Sequence, residues 1–201
     1  MLLKKLAKTR PGLERDVIGL IGTHHGVGVT HTGLMLAFYM GEELGKKTAL
    51  LECNRHHDMA LIQKAYEWSR EDERSCSFHM ISCYKEVSKT HITEILGENY
   101  ECVIMDFGID LASNKEEFLR CSTKIVVSGR SLWDTQKLSQ FSEAVSGIRG
   151  SDSWLYFIPQ VNNKTALEIS NEVERKVFAV PANEEPTLPS YQTNQFFDII
   201  F

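Results

Sequence analysis

The stretch Asp16-Val-Ile-Gly-Leu-Ile-Gly22-Thr-His-His-Gly-Val-Gly-Val-Thr30 decides how the chain is read. Its first seven residues form a short apolar run that closes on glycine, with the length and flanks of a buried strand. Glycine recurs at Gly26 and Gly28, where a backbone without Cβ turns tightly. From Thr30 to Leu44 a helix is expected, because Leu34, Ala37, Phe38, Gly41 and Leu44 fall at helical spacing, and Gly45 supplies the stop. Lys47-Thr-Ala-Leu-Leu-Glu-Cys53 reads as a second strand. Strand, glycine loop, helix and strand within about 35 residues make a βαβ unit with parallel pairing.

The alternation continues outward. A helix is expected over 58–70, a solvated loop over the charged 71–74, a strand over 78–82 and a short helix over 91–96. Strands are expected over 101–106, 124–128, 154–158 and 177–180, with a helix over 132–148. Strands alternating with helices imply an α/β fold with a mostly parallel sheet covered by helices on both faces. Ligands of such sheets bind outside the carboxyl ends of strands, which gathers residues 22–30, 53–58 and 106–110 around one crevice. The 201 residues suit one domain over the whole chain, with a short N-terminal extension over 1–15 and an apolar tail over 191–201.

A phosphate-binding loop needs glycines so that backbone N–H groups wrap phosphate oxygens, a lysine for the β and γ phosphates, and a Ser or Thr for Mg²⁺. Here the glycines and their place after a strand are right, Thr30 holds the hydroxyl position, and Val29 holds the lysine position. The loop resembles the deviant Walker A of the MinD/ParA family of P-loop NTPases, Lys-Gly-Gly-Val-Gly-Lys-Thr-Thr. His24 falls where that family has its signature lysine, His25 replaces a glycine, and Gly26, Val27, Gly28 and Thr30 match, with His31 next to them. Leu50-Leu-Glu-Cys-Asn54 resembles the family strand ending in Asp-x-Asp, with Glu52 and Asn54 as stand-ins. The segment from Tyr100 to Gly108 resembles its Walker B strand and retains Asp106; residues 118–127 and 177–181 resemble later strands.

The resemblance implies a P-loop NTPase architecture in which residues 24–31 would line the nucleotide site, and Thr30 and Asp106 would hold Mg²⁺ if a nucleotide binds. The departures imply a degenerate member. Valine replaces a charge-assisted phosphate contact worth roughly 1.5–3 kcal/mol, and neutral imidazole is the majority form at neutral pH. The expectation is a non-hydrolysing pseudo-ATPase, not an enzyme, with ATP or ADP binding weak or lost. It would act as a positioning or scaffolding protein through a protein partner or a homodimer. In this it is similar to the TadZ/CpaE proteins, although those usually carry an extra N-terminal receiver-like domain. A second reading is an ATP- or ADP-binding switch whose phosphate contacts are rebuilt on His24 and His25. A third is a ligase like dethiobiotin synthetase, whose loop is similar; its Lys-Pro pair after the second strand has no counterpart in Leu51-Glu-Cys-Asn-Arg55.

Two residues admit a structural role as well: Thr30 as a helix cap and Asp106 as a cap on the next turn. His24, His25, His31, His56 and His57 gather at the expected crevice mouth, but no ligand spacing matches a zinc frame. If residues 78–82 are a strand, Cys76 and Cys83 fall on opposite faces, which argues against a metal shared with His79. The five scattered cysteines read as reduced thiols of a cytoplasmic protein. Net charge −5 argues against binding nucleic acid through a broad basic surface. No apolar run of about 18 residues exists, so no spanning helix is expected, nor does the start read as a secretory signal. The tail Gln195-Phe-Phe-Asp-Ile-Ile-Phe201 is expected to fold onto the core; the alternative is a membrane- or partner-seeking segment, but no Lys or Arg follows Lys176.

Overall fold

The computed structural model describes residues 15–70 and 72–201. Residues 1–14 of the expected extension, and Glu71 of the charged stretch, lie outside the described residues. Arg15, the last residue of that extension, is bonded to the carbonyls of Leu96, Glu98 and Tyr100.

Among the described residues, nine strands make one sheet. In chain order they are β1 (Asp16–Gly22), β2 (Thr48–Glu52), β3 (Ser69–Arg70), β4 (Ser75–Phe78), β5 (Ile81–Tyr84), β6 (Cys102–Asp106), β7 (Thr123–Val127), β8 (Leu155–Pro159) and β9 (Val177–Val180). The helices are α1 (Val29–Phe38), α2 (Asp58–Ala65), α3 (Lys89–Leu96), α4 (Leu111–Arg120), α5 (Leu132–Val145), α6 (Asn163–Val173) and α7 (Tyr191–Ile200). The strand order is β3-β4-β5-β2-β6-β1-β7-β8-β9. From β5 to β9 every pairing is parallel; β3–β4 and β4–β5 are antiparallel. This is the α/β, mostly parallel architecture expected from the sequence.

Alternation along the central strands builds two cores. Ile18, Leu20, Leu50, Ile104, Ile125 and Val127 face α1 and α7. Ile21, Ala49, Leu51, Val103, Met105 and Val126 face the opposite layer, with Ile95, Phe118, Leu138 and Ile169 of α3 to α6. Helix α1 is apolar on all sides and almost wholly buried, the property of a helix enclosed by sheet and neighbours. Its end departs from the expected single helix to Leu44, because Tyr39–Glu43 continues as a π-helical turn. Gly41 in that turn passes so close to β5 that a Cβ there would lie 2.6 Å from Ile81 Cγ1.

The expected helix over 58–70 ends at Ala65. Glu67 takes the left-handed conformation (φ 53°), and the reversal seats Trp68 against Phe38 and Phe78 while Ser69–Arg70 joins the sheet. Burying an indole outweighs a further turn of polar helix. The expected strand over 78–82 is also corrected. Phe78 pairs with Ile81 across a turn at His79 (φ 49°), so the segment is a hairpin between two strands. Cys76 therefore lies directly opposite Cys83, with both side chains buried in the same core, not on opposite faces. Side-chain alternation holds along a strand and is reset by a turn. His79 turns to Glu42 at 3.2 Å, and no metal-binding set occurs among the described residues.

The C-terminal segment folds back as α7. Phe197 is fully buried beside Tyr39, and Tyr39 donates its hydroxyl to Asp198 at 2.8 Å. No helix among the described residues is long and apolar enough to cross a membrane.

Candidate functional site

The connection from β1 leads through α1 to β2, on one side of β1. The connection from β6 leads through α4 to β7, on the other side. Strand order therefore reverses at β1, and the carboxyl ends of β1 and β6 open onto a crevice of the kind that holds ligands. The glycine loop is tied into it by backbone: Gly22 N–H donates to Gly108 O at 2.7 Å and Thr23 N–H to Val127 O at 3.0 Å. Gly26 (φ 80°) and Gly28 (φ 90°) adopt conformations that favour glycine. Gly28 is the N-cap of α1, and no side chain caps that helix. The first amides of α1 thus face a cavity of ≈ 320 Å³ lined by the loop, His56, Asp58 and Gly108.

Thr30 is not a cap. Its hydroxyl donates to Asp106 Oδ2 at 2.7 Å and approaches Asp58 Oδ2 at 3.4 Å. The other Asp106 oxygen accepts from Gly108 N–H at 2.8 Å, so this carboxylate both supports the turn and faces the loop. Burial pushes the Asp106 carboxyl above its usual range; the Thr30 and Gly108 bonds pull it back, and nearby Glu52 adds a further rise. A hydroxyl beside two carboxylates is a set of hard oxygen donors that fits Mg²⁺. Glu52 and Asn54 serve the backbone instead. Glu52 accepts from Met59 N–H and Glu86 N–H, both at 3.2 Å, and Asn54 spans Asp106 O and His56 N–H.

Val29 is buried, and its Cγ2 packs so tightly that a Cβ on Gly22 would lie 2.7 Å from it. Val29 thus puts an apolar side chain at the lysine position, and among the described residues neither Lys nor Arg lines the loop cavity. Its basic groups are imidazoles. His24 is engaged at both nitrogens: Nε2 meets Asp134 Oδ1 at 2.9 Å, and Nδ1 meets the Thr23 hydroxyl at 2.9 Å, which in turn contacts Ser128 Oγ at 3.0 Å. Asp134 belongs to the capping box of α5. Burial raises its carboxyl, but the Ser131 hydroxyl and amide, then His24 and Lys137, outweigh that and the net shift is downward. His31 Nε2 meets Asn183 O at 2.7 Å, while the rings of His25 and His56 stand 5.3 Å apart. His57 pairs with Glu86 at 2.8 Å and lines a neighbouring cavity instead of this one.

The sequence reading places Asp58 at the crevice without a role and does not include Asp134 or Asn183. Asp58 had a usable signal as the acid opening α2. Asp134 and Asn183 reach the loop only through tertiary contacts.

Neither a protein-family model nor a curated protein matches the chain. Solved structures do. The chain is similar to a ParA family ATPase from Chlorobium tepidum TLS, at 14% identity over 91% of this chain and 92% of that one, with TM-score 0.64. It is similar to a plasmid partition protein from Borrelia burgdorferi B31, solved bound to AMPPNP, at 14% identity over 94% and 97%, with TM-score 0.67. It is similar to a chain of the MinC:MinD cell division complex of Aquifex aeolicus, at 13% identity over 92% and 89%, with TM-score 0.64. At these identities the likeness shows the fold alone: the chain shares the mostly parallel α/β architecture of these ParA- and MinD-type structures.

Proposed function

We propose that the chain is a degenerate, non-hydrolysing MinD/ParA-like protein, a single-domain cytoplasmic positioning or scaffolding module that works through a protein partner or a second copy of itself. The observation that carries this reading is the fate of the lysine position. Val29 is spent on core packing against Gly22 and Val27. The loop cavity offers no fixed positive charge, while one carboxylate, Asp58, lies on its wall and a second, Asp106, is bonded to Thr30 behind it. Phosphates entering it would face backbone amides without a compensating cation. Removing one donor to developing charge costs about 10²–10³ in rate. His24, the counterpart of the signature lysine, is held by Asp134 of its own chain. Net charge −5 disfavours nucleic acid as the partner.

A second reading, a switch that binds ATP or ADP, is favoured by one observation. A cavity of ≈ 310 Å³ adjoins the loop cavity and shares Gly26, Val27, Gly28 and His31 with it. The two together offer room for phosphates on the loop and a base beyond it. Thr30, Asp58 and Asp106 would hold the Mg²⁺ that shields phosphate charge.

Calorimetry with ATP and ADP, with and without Mg²⁺, on wild type and Val29→Lys separates the two. The first reading expects no heat from wild type and binding by the variant. Micromolar binding by wild type overturns it and establishes the switch.

A further inference from the structure

A larger cavity, ≈ 810 Å³, lies beside the loop cavity, outside the carboxyl ends of β2, β5 and β6. Its size and place are those of small-molecule sites in open α/β sheets. Part of its wall is apolar, from Cys53, Val87 and Ile92. The acids around it are already engaged. Glu86 is bonded to His57 at 2.8 Å, Asp110 accepts from Ser113 N–H at 3.0 Å, and Glu117 holds Lys89 at 3.2 Å.

The donors are not engaged. Arg55, His25 and His56 line the cavity, and their side chains make no hydrogen bond or ion pair among the described residues. His25 and His56 belong to both cavities, so their facing rings form the partition between them. Gly108 keeps that partition in place: a Cβ there would lie 3.1 Å from His56 Cε1. The first turns of α3 and α4, capped by Ser88 and Asp110, close the far side. Asp110 lies in the field of Arg55, and the crevice presents this guanidinium and two imidazoles with no side-chain hydrogen bond, groups that select for anionic oxygen.

We propose that this cavity binds a small organic anion, a carboxylate- or phosphate-bearing molecule, whose charged end is held by Arg55 with His25 and His56 and whose hydrocarbon lies against Cys53, Val87 and Ile92. The site shares the His25–His56 partition with the loop cavity and lies on its other side. Arg55 is exposed and takes no part in the core, so its removal leaves the fold intact.

The test is an amide-resolved NMR titration of the full chain with citrate and, separately, with inorganic phosphate, repeated on Arg55→Ala. The expected result is saturating shifts at 53–57, 86–89 and 110–114 with at least one anion, weakened about tenfold or more in the variant, the loss of a charge-assisted contact. Saturation by citrate alone assigns a carboxylate, and by phosphate alone a phosphate. Saturating shifts confined to 26–31 would give the anion to the loop and overturn the proposal. So would the absence of saturation with both anions, or an affinity unchanged by Arg55→Ala. Nucleotide calorimetry reports on the loop and these shifts report on the cavity, so the two readings fail separately.

Discussion

Thr30 and Asp106, 76 residues apart in sequence, share a 2.7 Å hydrogen bond at the foot of the glycine loop. The bond ties the first turn of α1 to the end of β6 beside the loop cavity.

Asp106→Asn tests the electrostatic state of that site. Burial raises the Asp106 carboxyl above its usual value of 3.8. A raised folded value means that its favourable contribution is complete below 3.8 and is lost as pH rises through the folded value. Denaturant unfolding is expected to show wild type losing stability relative to the variant over that rise, with the difference levelling off at higher pH. A difference independent of pH contradicts the shift.

His24→Ala removes the contact between the loop and α5 and is expected to cost about 1–2 kcal/mol at neutral pH, because both partners of this charge-assisted bond are mostly buried. Asp134 has the opposite sign to Asp106. Its carboxyl is lowered, so its contribution is present above 3.8 and is lost as pH falls through the folded value. Asp134→Asn is expected to flatten that acid limb of the stability profile.

Phe197→Ala tests whether α7 is part of the folded body. Phe197 is fully buried and stacks near Tyr39 at 5.2 Å. Truncation is expected to cost about 3–5 kcal/mol in urea unfolding, with faster proteolysis after residue 190. A loss below about 1 kcal/mol would make the helix a loosely held tail.

Gly19→Ala probes the other face of β1. A Cβ there would lie 2.8 Å from Cys121 Sγ and 2.9 Å from the Phe118 ring. The side chains are buried and have no room to yield, so overpacking is expected to cost about 1–3 kcal/mol in the same assay.

The central unit was legible in the sequence because its signals agree. Residues 16–22 are continuously apolar, Gly26 and Gly28 punctuate the turn, and α1 follows at once. β9 matches the expected 177–180. The hairpin from Ser75 to Tyr84 was not legible, because its turn at His79 uses a histidine in a conformation usually given to glycine or asparagine. Helices α4 and α6 carried no expectation: they bury few side chains, and their polar surfaces look like loop. At the site, Thr30 and Asp106 were found by pattern. The bond that ties His24 to α5 was invisible, since Asp134 reads locally as a capping residue and its second oxygen is free to turn elsewhere.

The pairing of β1 with β6 and β7 has a kinetic consequence. Leu20 faces Asp106, Gly22 faces Val127, and Thr23 meets Ser128 across 105 residues of chain. Contacts of such sequence separation form slowly, because the loop must close before the contact repays it. The early part of the chain supplies α1, β1 and β2, but β6, which joins β1 to β2 in the sheet, begins only at Cys102. The crevice thus comes into being only when most of the polypeptide has been made and threaded into place. Whatever occupies it recognises the finished molecule alone, and its binding energy adds directly to the lifetime of that molecule against unfolding.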